Sequence, residues 1–381
     1  MLHGYMLIRT EVKEGRWVDS LETSALRTTH STLNPWLAAL AYDRTSLKCP
    51  APTIPPPPTA TMKSTSATKP RQMMRGHTGF VTHVAHLPDG RRIITDSADG
   101  SLRLWEIESG TQIGDDWRDD GNHATVSRIA LSPNGKTVAS GSMDGKVRLW
   151  DVETTKVVAR WIGHTDIVSS LCWSVDGEQV VSGSDDGTIR VWDVESGDIV
   201  LGPIKAGHWY VPAVIYSPDA TEIATGGMDA LKIWDAKTGN LLSTIKHDST
   251  VWSLAWTSDQ KKLITGSYRL IRIFDTATWQ QIVILEGHTE AVFSLSLFQN
   301  DRLLASASYD KTARLWNLDT NLPIGPPLQH QAAVKSAAIS TDGKLLVTGC
   351  DDANAYVWDI HTTLKYAGLE ELLSILDVSV N

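Results

Sequence analysis

Between residues 71 and 360 the chain alternates short apolar runs with brief polar turns, and it does so on a fixed period. Residues 167–194 display one unit: IVSSLCW, the turn SVDG, EQVVSGS, the turn DDG, then TIRVWDV. β-Branched residues set between Asp-Gly turns predict three antiparallel strands joined by tight turns. A fourth apolar run follows (VVARWI, IVLGPIK, LLSTIK and IVILE in successive units), so each unit carries four strands.

The unit recurs seven times. TDSADGSLRLWE, SGSMDGKVRLWD, SGSDDGTIRVWD, TGGMDALKIWD, TGSYRLIRIFD, SASYDKTARLWN and TGCDDANAYVWD close on Trp105, Trp150, Trp192, Trp234, Phe274, Trp316 and Trp358. These aromatics are 45, 42, 42, 40, 42 and 42 residues apart, a period that suits one four-stranded blade. A lone sheet of this kind cannot bury both faces, whereas seven stacked radially cover one another. The predicted fold is all-β: a seven-bladed β-propeller with four antiparallel strands per blade.

Gly76-His77, Gly163-His164, Gly207-His208 and Gly287-His288 ahead of the first strands, with Trp-Asp ending the third, make residues 71–360 resemble the WD-repeat β-propeller family. The resemblance implies, in each blade, a buried hydrogen-bonded tetrad of His, Ser or Thr, Asp and Trp. Blade three supplies His164, Ser182, Asp186 and Trp192; blade one His77, Thr95, Asp99 and Trp105; blade two His123, Ser140, Asp144 and Trp150. Blade six gives His288, Ser306, Asp310 and Trp316, and blade seven His330, Thr348, Asp352 and Trp358. Blade four retains His208, Thr225, Asp229 and Trp234 but is one residue short before the tryptophan, which implies a tighter turn. Blade five keeps His247 and Thr265, yet carries Phe274 and Tyr268-Arg269 where tryptophan and aspartate belong, so its tetrad is expected not to form and the blade to be the softest.

His, Ser and Asp are also the groups of a nucleophilic hydrolase. A catalytic set occurs once, at a cleft. Here the same groups recur in nearly every blade, where they satisfy one another out of solvent, so a structural lock is expected and no enzyme activity. Gly135-Lys136-Thr137 lacks the upstream glycine of a phosphate loop, since Ala130 stands there, and SPNGKTV reads as a hairpin turn. Cys49, Cys172 and Cys350 have no ligand-like spacing, so neither a metal nor a cofactor is implied.

Residues 1–70 share none of the repeat and hold eight Lys/Arg against five Asp/Glu. Pro55 to Pro58 followed by TATMKSTSATKP predicts an extended, disordered linker, with docking into an aromatic-grooved module as the alternative. Met62 is a candidate alternative start. The remaining residues, 71–381, carry 27 Lys/Arg and 39 Asp/Glu, an acidic balance that disfavours nucleic acid as a partner. Few cysteines, no continuous apolar leader and no run of membrane-spanning length predict an intracellular chain, cytoplasmic or nuclear, that does not bind membranes. After Trp358, Leu369, Leu372, Leu373 and Leu376 have helical spacing, which predicts a short amphipathic helix in the tail 361–381 that packs on the propeller wall or docks a partner. Residues 71–75 are expected to close the ring by pairing with the strand around Tyr356 to Trp358.

What the resemblance implies for function is a non-catalytic, monomeric scaffold within a larger complex, binding a protein or peptide on its narrow end. The alternatives are a substrate receptor of a ubiquitin ligase and a reader of methylated lysine, which needs an aromatic cage with acidic company. Receptors of the cullin-linked type often end a repeat in Trp-Asp-x-Arg, and only Trp234-Asp235-Ala236-Lys237 comes close. By the family's pattern the narrow end carries two residues per blade at the bulge of the innermost strand and one just before the tetrad aspartate. Of these 21 positions six are aromatic: Phe80, Tyr210, Trp252, Tyr268, Phe293 and Tyr309. At 7% aromatic content one or two are expected, and five of the six fall in blades four to six. Tyr210, Trp252, Tyr268, Phe293, Tyr309 and the neighbouring Arg269 are therefore the expected partner-binding residues. The competing reading makes Trp252 and Phe293 a plug of the central channel.

Overall fold

Two kinds of side-chain-capped turn generate the blades. After the first strand of blade three, the Ser174 hydroxyl donates to Asp176 at 2.5 Å and accepts the Gln179 N–H at 2.9 Å. The same bracket recurs at Ser217–Asp219, Thr257–Asp259 and Ser340–Asp342. After the third strand, the aspartate of each Trp-Asp accepts a backbone N–H three residues on: Asp151 from Thr154 at 2.7 Å, Asp193 from Ser196 at 2.8 Å, Asp235 from Thr238 at 2.6 Å. The aspartate is thus a turn cap that lets the fourth strand fold back.

The computed structural model describes residues 12–13, 16–17, 69–119 and 124–374. The chain divides into two units, residues 1–52 and 53–381. In the first, Val12–Lys13 and Arg16–Trp17 pair as a small hairpin. The polyproline run, Met62, His123 and Leu376 lie outside the described residues.

The second unit is the seven-bladed propeller. Its innermost strands are Val81–His86, Val126–Leu131, Val168–Trp173, Ala213–Tyr216, Ser253–Trp256, the later part of Gln281–Leu297, and Val334–Ile339. Each of these packs against the next, and the seventh against the first. Six sheets appear because the strand Gln281–Leu297 runs unbroken from the outer edge of blade five into the centre of blade six, and Tyr268 pairs with Ala291 across them. Ring closure is as the sequence predicts: Gln72–Arg75 pairs antiparallel with the third strand of blade seven, Met73 opposite Tyr356.

The core is seven clusters, each formed where one blade meets the next. Leu102, Leu104 and Trp117 of blade one, for example, meet Val126, Val138 and Trp150 of blade two. Five innermost strands shift register at the same point, skipping Thr82, Ser127, Ser169, Phe293 and Lys335, which turns those side chains toward the centre. Pro212 and Trp252 precede the shorter innermost strands of blades four and five at the same level. We refer to this as the bulge end; the resemblance makes it the narrow end.

In the tail the helix lies upstream of the leucines that predict it. It spans Ile360–Ala367, with Asp359 accepting the Thr362 N–H at its start and Gly368, at φ 67°, ending it in the left-handed conformation. Leu372 and Leu373 fall instead on a 3-10 turn, Glu370–Leu373. Ile360, Leu364 and Leu372 are fully buried against blades six and seven. Arg302 donates to the Glu371 carbonyl at 2.8 Å. Because the 299–302 turn follows the innermost strand, the tail covers the end opposite the bulges. Leu364→Ala is expected to cost about 2 to 5 kcal/mol, measured by urea unfolding.

Candidate interaction surface

Blades one, three and six hold complete tetrads. His164 contacts Asp186 at 2.9 Å and Ser182 at 2.7 Å, and Trp192 donates to the same hydroxyl at 2.8 Å. His77 with Asp99, Thr95 and Trp105, and His288 with Asp310, Ser306 and Trp316, repeat this geometry. The glycine before the histidine has a steric reason: a Cβ on Gly163 would stand 2.8 Å from the Trp192 ring. Burial opposes charge on Asp186, yet the hydrogen bonds from His164 and Thr188 hold its carboxyl well below the usual range. The tetrad hydroxyls of Thr95, Ser182 and Ser306 are fully buried, so they present no nucleophile to solvent. Among the described residues no group of His, Cys, Asp or Glu is placed to hold a metal ion.

Blades four and seven depart from the expected tetrads. In blade four Trp234 still donates to Thr225 at 2.9 Å, but the His208 Nε2 has no hydrogen-bond partner. The shortened turn puts the Met228 backbone against the imidazole, with Asp229 at φ 64°. In blade seven His330 meets Thr348 at 2.8 Å, while its Nδ1 turns to the Leu328 carbonyl at 3.1 Å. The Tyr356 hydroxyl has taken the Asp352 carboxylate. Blade five has no tetrad: Arg272 lies 3.3 Å from His247 Nε2, and Thr265 stands at 3.4 Å. In blade two Trp150 donates to Ser140 at 2.8 Å, and Asp144 takes Arg148 in a two-pronged contact of 3.1 and 2.7 Å.

Tyr356 occupies a position that is basic in the other six blades: Arg103, Arg148, Arg190, Lys232, Arg272 and Arg314, each two residues before the closing aromatic. Sequence reasoning missed this flanking cation, although LRLW, VRLW, IRVW, LKIW, IRIF and ARLW spell it out. Burial and Lys232 lower the His208 imidazole to about 4, and burial with Arg272 does the same to His247. Burial likewise brings His330 to about 4. Since these imidazoles bind protons near 6.5 once unfolded, stability is full above that pH and falls as pH drops toward 4. Thermal unfolding scanned from pH 7.5 to 4.5 should show the decline, and His208→Gln should flatten part of it.

The expected aromatic patch is divided by the structure. Trp252 is 2% exposed and Phe293 6%, so neither presents its ring to solvent. Tyr210 and Trp252 are 6.0 Å apart between ring centres, Trp252 and Phe293 5.6 Å, Phe293 and Tyr309 6.0 Å: a continuous ladder lining the centre through blades four to six. Lys335 caps it, with Nζ 4.4 Å from the Phe293 ring centre, 5.3 Å from that of Tyr309 and 3.5 Å from Asp351. Tyr210, Tyr268 and Tyr309 remain half-buried at its rim, and Arg269 is exposed.

The most exposed large apolar side chain of the described residues stands outside the family's fixed offsets. Trp209 is 84% exposed at the bulge end, beside His208, where other blades carry Thr78, Thr165, Asp248, Thr289 and Gln331. Phe80 at 48% and Met143 at 40% lie at the same end in blades one and two. At the turn before the third strand, blades one to three use Gly100, Gly145 and Gly187, whereas Asp229, Arg269, Lys311 and Ala353 adopt φ of 64 to 67° in blades four to seven. A non-glycine residue there costs roughly 1 kcal/mol. Lys311→Gly and Arg269→Gly should therefore each raise stability by about 1 kcal/mol, read from chemical denaturation midpoints.

A family model described as "WD domain, G-beta repeat" matches residues 68–106, 119–151, 155–193, 239–275, 279–317 and 326–359, together more than half of the chain. The chain belongs to the WD40 family. The unmatched stretch, 194–238, contains the inner three strands of blade four, the WD40 blade whose turn is short and whose tetrad is broken. Serine-threonine kinase receptor-associated protein of Gallus gallus is 36% identical over 105 residues, 27% of this chain and 30% of that protein. Target of rapamycin complex subunit LST8 of Saccharomyces cerevisiae is 32% identical over 121 residues, 31% of this chain and 39% of that subunit. Apoptotic protease-activating factor 1 of Homo sapiens is 34% identical over 131 residues, 33% of this chain and 10% of that protein. The matches thus span less than two fifths of each relative's length. Among the described residues no helix is long and apolar enough to cross a membrane.

Proposed function

We propose that this WD40 chain is a non-catalytic scaffold that binds a protein or peptide partner on the bulge end of its propeller. The carrying observation is Trp209, a large aromatic 84% exposed at a position filled by short or polar side chains in the other blades. Exposed aromatics of this kind anchor interfaces because they bury much area at small entropic cost. Tyr210, Tyr268, Arg269 and Tyr309 extend the surface through blades four to six. Association as the mode of action also fits the names of two relatives, a receptor-associated protein and a complex subunit.

A methyl-lysine reader has less support, because the chain's own Lys335 already sits against Phe293, Tyr309 and Asp351. The ligase-receptor reading gains no residue beyond Lys237. The thiols of Cys172 and Cys350 are free, which fits a reducing, intracellular compartment.

Trp209→Ala or Tyr309→Ala should weaken capture of the partner by about 2 kcal/mol each without disturbing the circular dichroism spectrum. Trp252→Ala is unsuitable, since that ring is core. If both variants bind at full strength while Val175→Asp, in an exposed turn at the opposite end, abolishes capture, the partner lies elsewhere.

A further inference from the structure

The two carboxylates at equivalent positions of blades three and seven differ in one respect. Asp185 and Asp351 each stand immediately before the tetrad aspartate, Asp186 and Asp352. In blade seven the skipped residue of the innermost strand is Lys335, whose ammonium lies 3.5 Å from Asp351 and against two aromatic rings. In blade three the same skipped position holds Ser169. Its hydroxyl donates to the Val211 carbonyl at 3.0 Å and also lies against the Asp185 carboxyl, a neutral contact where blade seven supplies a charge.

Asp185 is therefore left without the cation its counterpart enjoys. The Asp185 Oδ1, like the Asp351 Oδ1, is buried and has no hydrogen-bond partner, but only Asp351 has a cation beside it. Such an oxygen is costly to leave unsatisfied. Its charged neighbours are the acids Asp166 and Asp186, and Asp186 is already engaged by His164. Burial raises the Asp185 carboxyl to about 6, with Asp166 and Asp186 pushing the same way. The previous blade contributes Ser127 and Met143 at the positions where Phe293 and Tyr309 stand beside Lys335, so the blade-three side is built of smaller groups. The Trp209 loop packs along the Asp185 turn, Val211 N–H bonding the Ser184 carbonyl at 3.1 Å.

We propose that blade three receives a lysine or arginine side chain of the bound partner, with Asp185 as its counter-ion in the role Asp351 plays for Lys335. The chain thus shows in one blade, with its own lysine, the arrangement that a partner completes in another. A basic partner also complements the acidic balance of residues 71–381, 27 Lys/Arg against 39 Asp/Glu. The inference rests on the bulge-end reading and specifies the chemistry of what binds there.

The test is selection of a random peptide library on the full chain, followed by affinity measurement of the enriched synthetic peptide on variants. The peptides should share one fixed Lys or Arg. Asp185→Asn should weaken binding at least tenfold, and so should Ser169→Lys, which installs the internal cation of blade seven and fills the site. Exchange of the fixed basic residue for Gln or Met in the peptide should cost the same factor, with no further loss on Asp185→Asn. Peptides that lose affinity on Trp209→Ala but carry no basic residue, or bind Asp185→Asn and Ser169→Lys unchanged, overturn this inference and leave the bulge-end reading standing. Peptides indifferent to Trp209→Ala and Tyr309→Ala overturn both.

Discussion

One buried hydrogen bond is common to every blade that can make it: the indole N–H of the closing tryptophan to the hydroxyl at the centre of the second strand. It measures 2.8 Å in blades one, two, three and six, 2.9 Å in blade four and 3.0 Å in blade seven. The bond ties the third strand to the second through side chains, and the ring that makes it fills the space between blades. Around that fixed pair the other members vary. Histidine, aspartate and the flanking cation exchange partners in blades four, five and seven, yet the strands hold their register. The indole-to-hydroxyl bond is thus the constant, and the rest of the tetrad is an elaboration of it.

The loosened tetrads all lie toward one end. Turns at the far end vary as well: the hydroxyl-aspartate bracket holds in blades three, four, five and seven, while Leu87 and Phe298 replace its hydroxyl residue in blades one and six. Ala220, Gln260 and Asp301 take the left-handed position that glycine fills in the other blades, and there too the tail lies across blades six and seven. At the bulge end the fourth to seventh blades exchange glycine for residues that must be forced into the left-handed region, and the tetrads loosen in blades four, five and seven. A scaffold that repeats itself for stability can afford such irregularity only where neighbouring blades already fix the backbone.

What was legible in the sequence is what periodicity encodes. The closing aromatics at intervals of 40 to 45 residues give blade number, and residues 71–75 reveal their role because they precede the first repeat in the place an outer strand takes elsewhere. Side-chain competition is not periodic. Nothing in the spelling of blade seven shows that the Tyr356 hydroxyl reaches Asp352 before His330 does, or that the Met228 backbone displaces Asp229 from His208. The offsets bring Tyr210, Trp252, Phe293 and Tyr309 next to one another, but the exposure of each depends on the next blade. Trp252 is buried because Tyr210 and Phe293 flank it, while Trp209, one residue outside the fixed offsets, projects freely.

The pairing of Gln72–Arg75 with Asn354–Asp359 joins segments about 280 residues apart in the chain. At a synthesis rate of roughly 5 to 20 residues per second, the first strand waits about 15 to 60 s for its partner to be made. Six blades can stack in that interval, but the two faces at the gap stay wet, among them Val81 and Ile93 of blade one on one side and Leu303 and Leu315 of blade six on the other. The nascent chain is therefore an open arc with an apolar face at its seam until the last blade is translated. Its folding is gated by translation time rather than by the speed of any single hairpin, and the seam is where a chaperone would have to hold it.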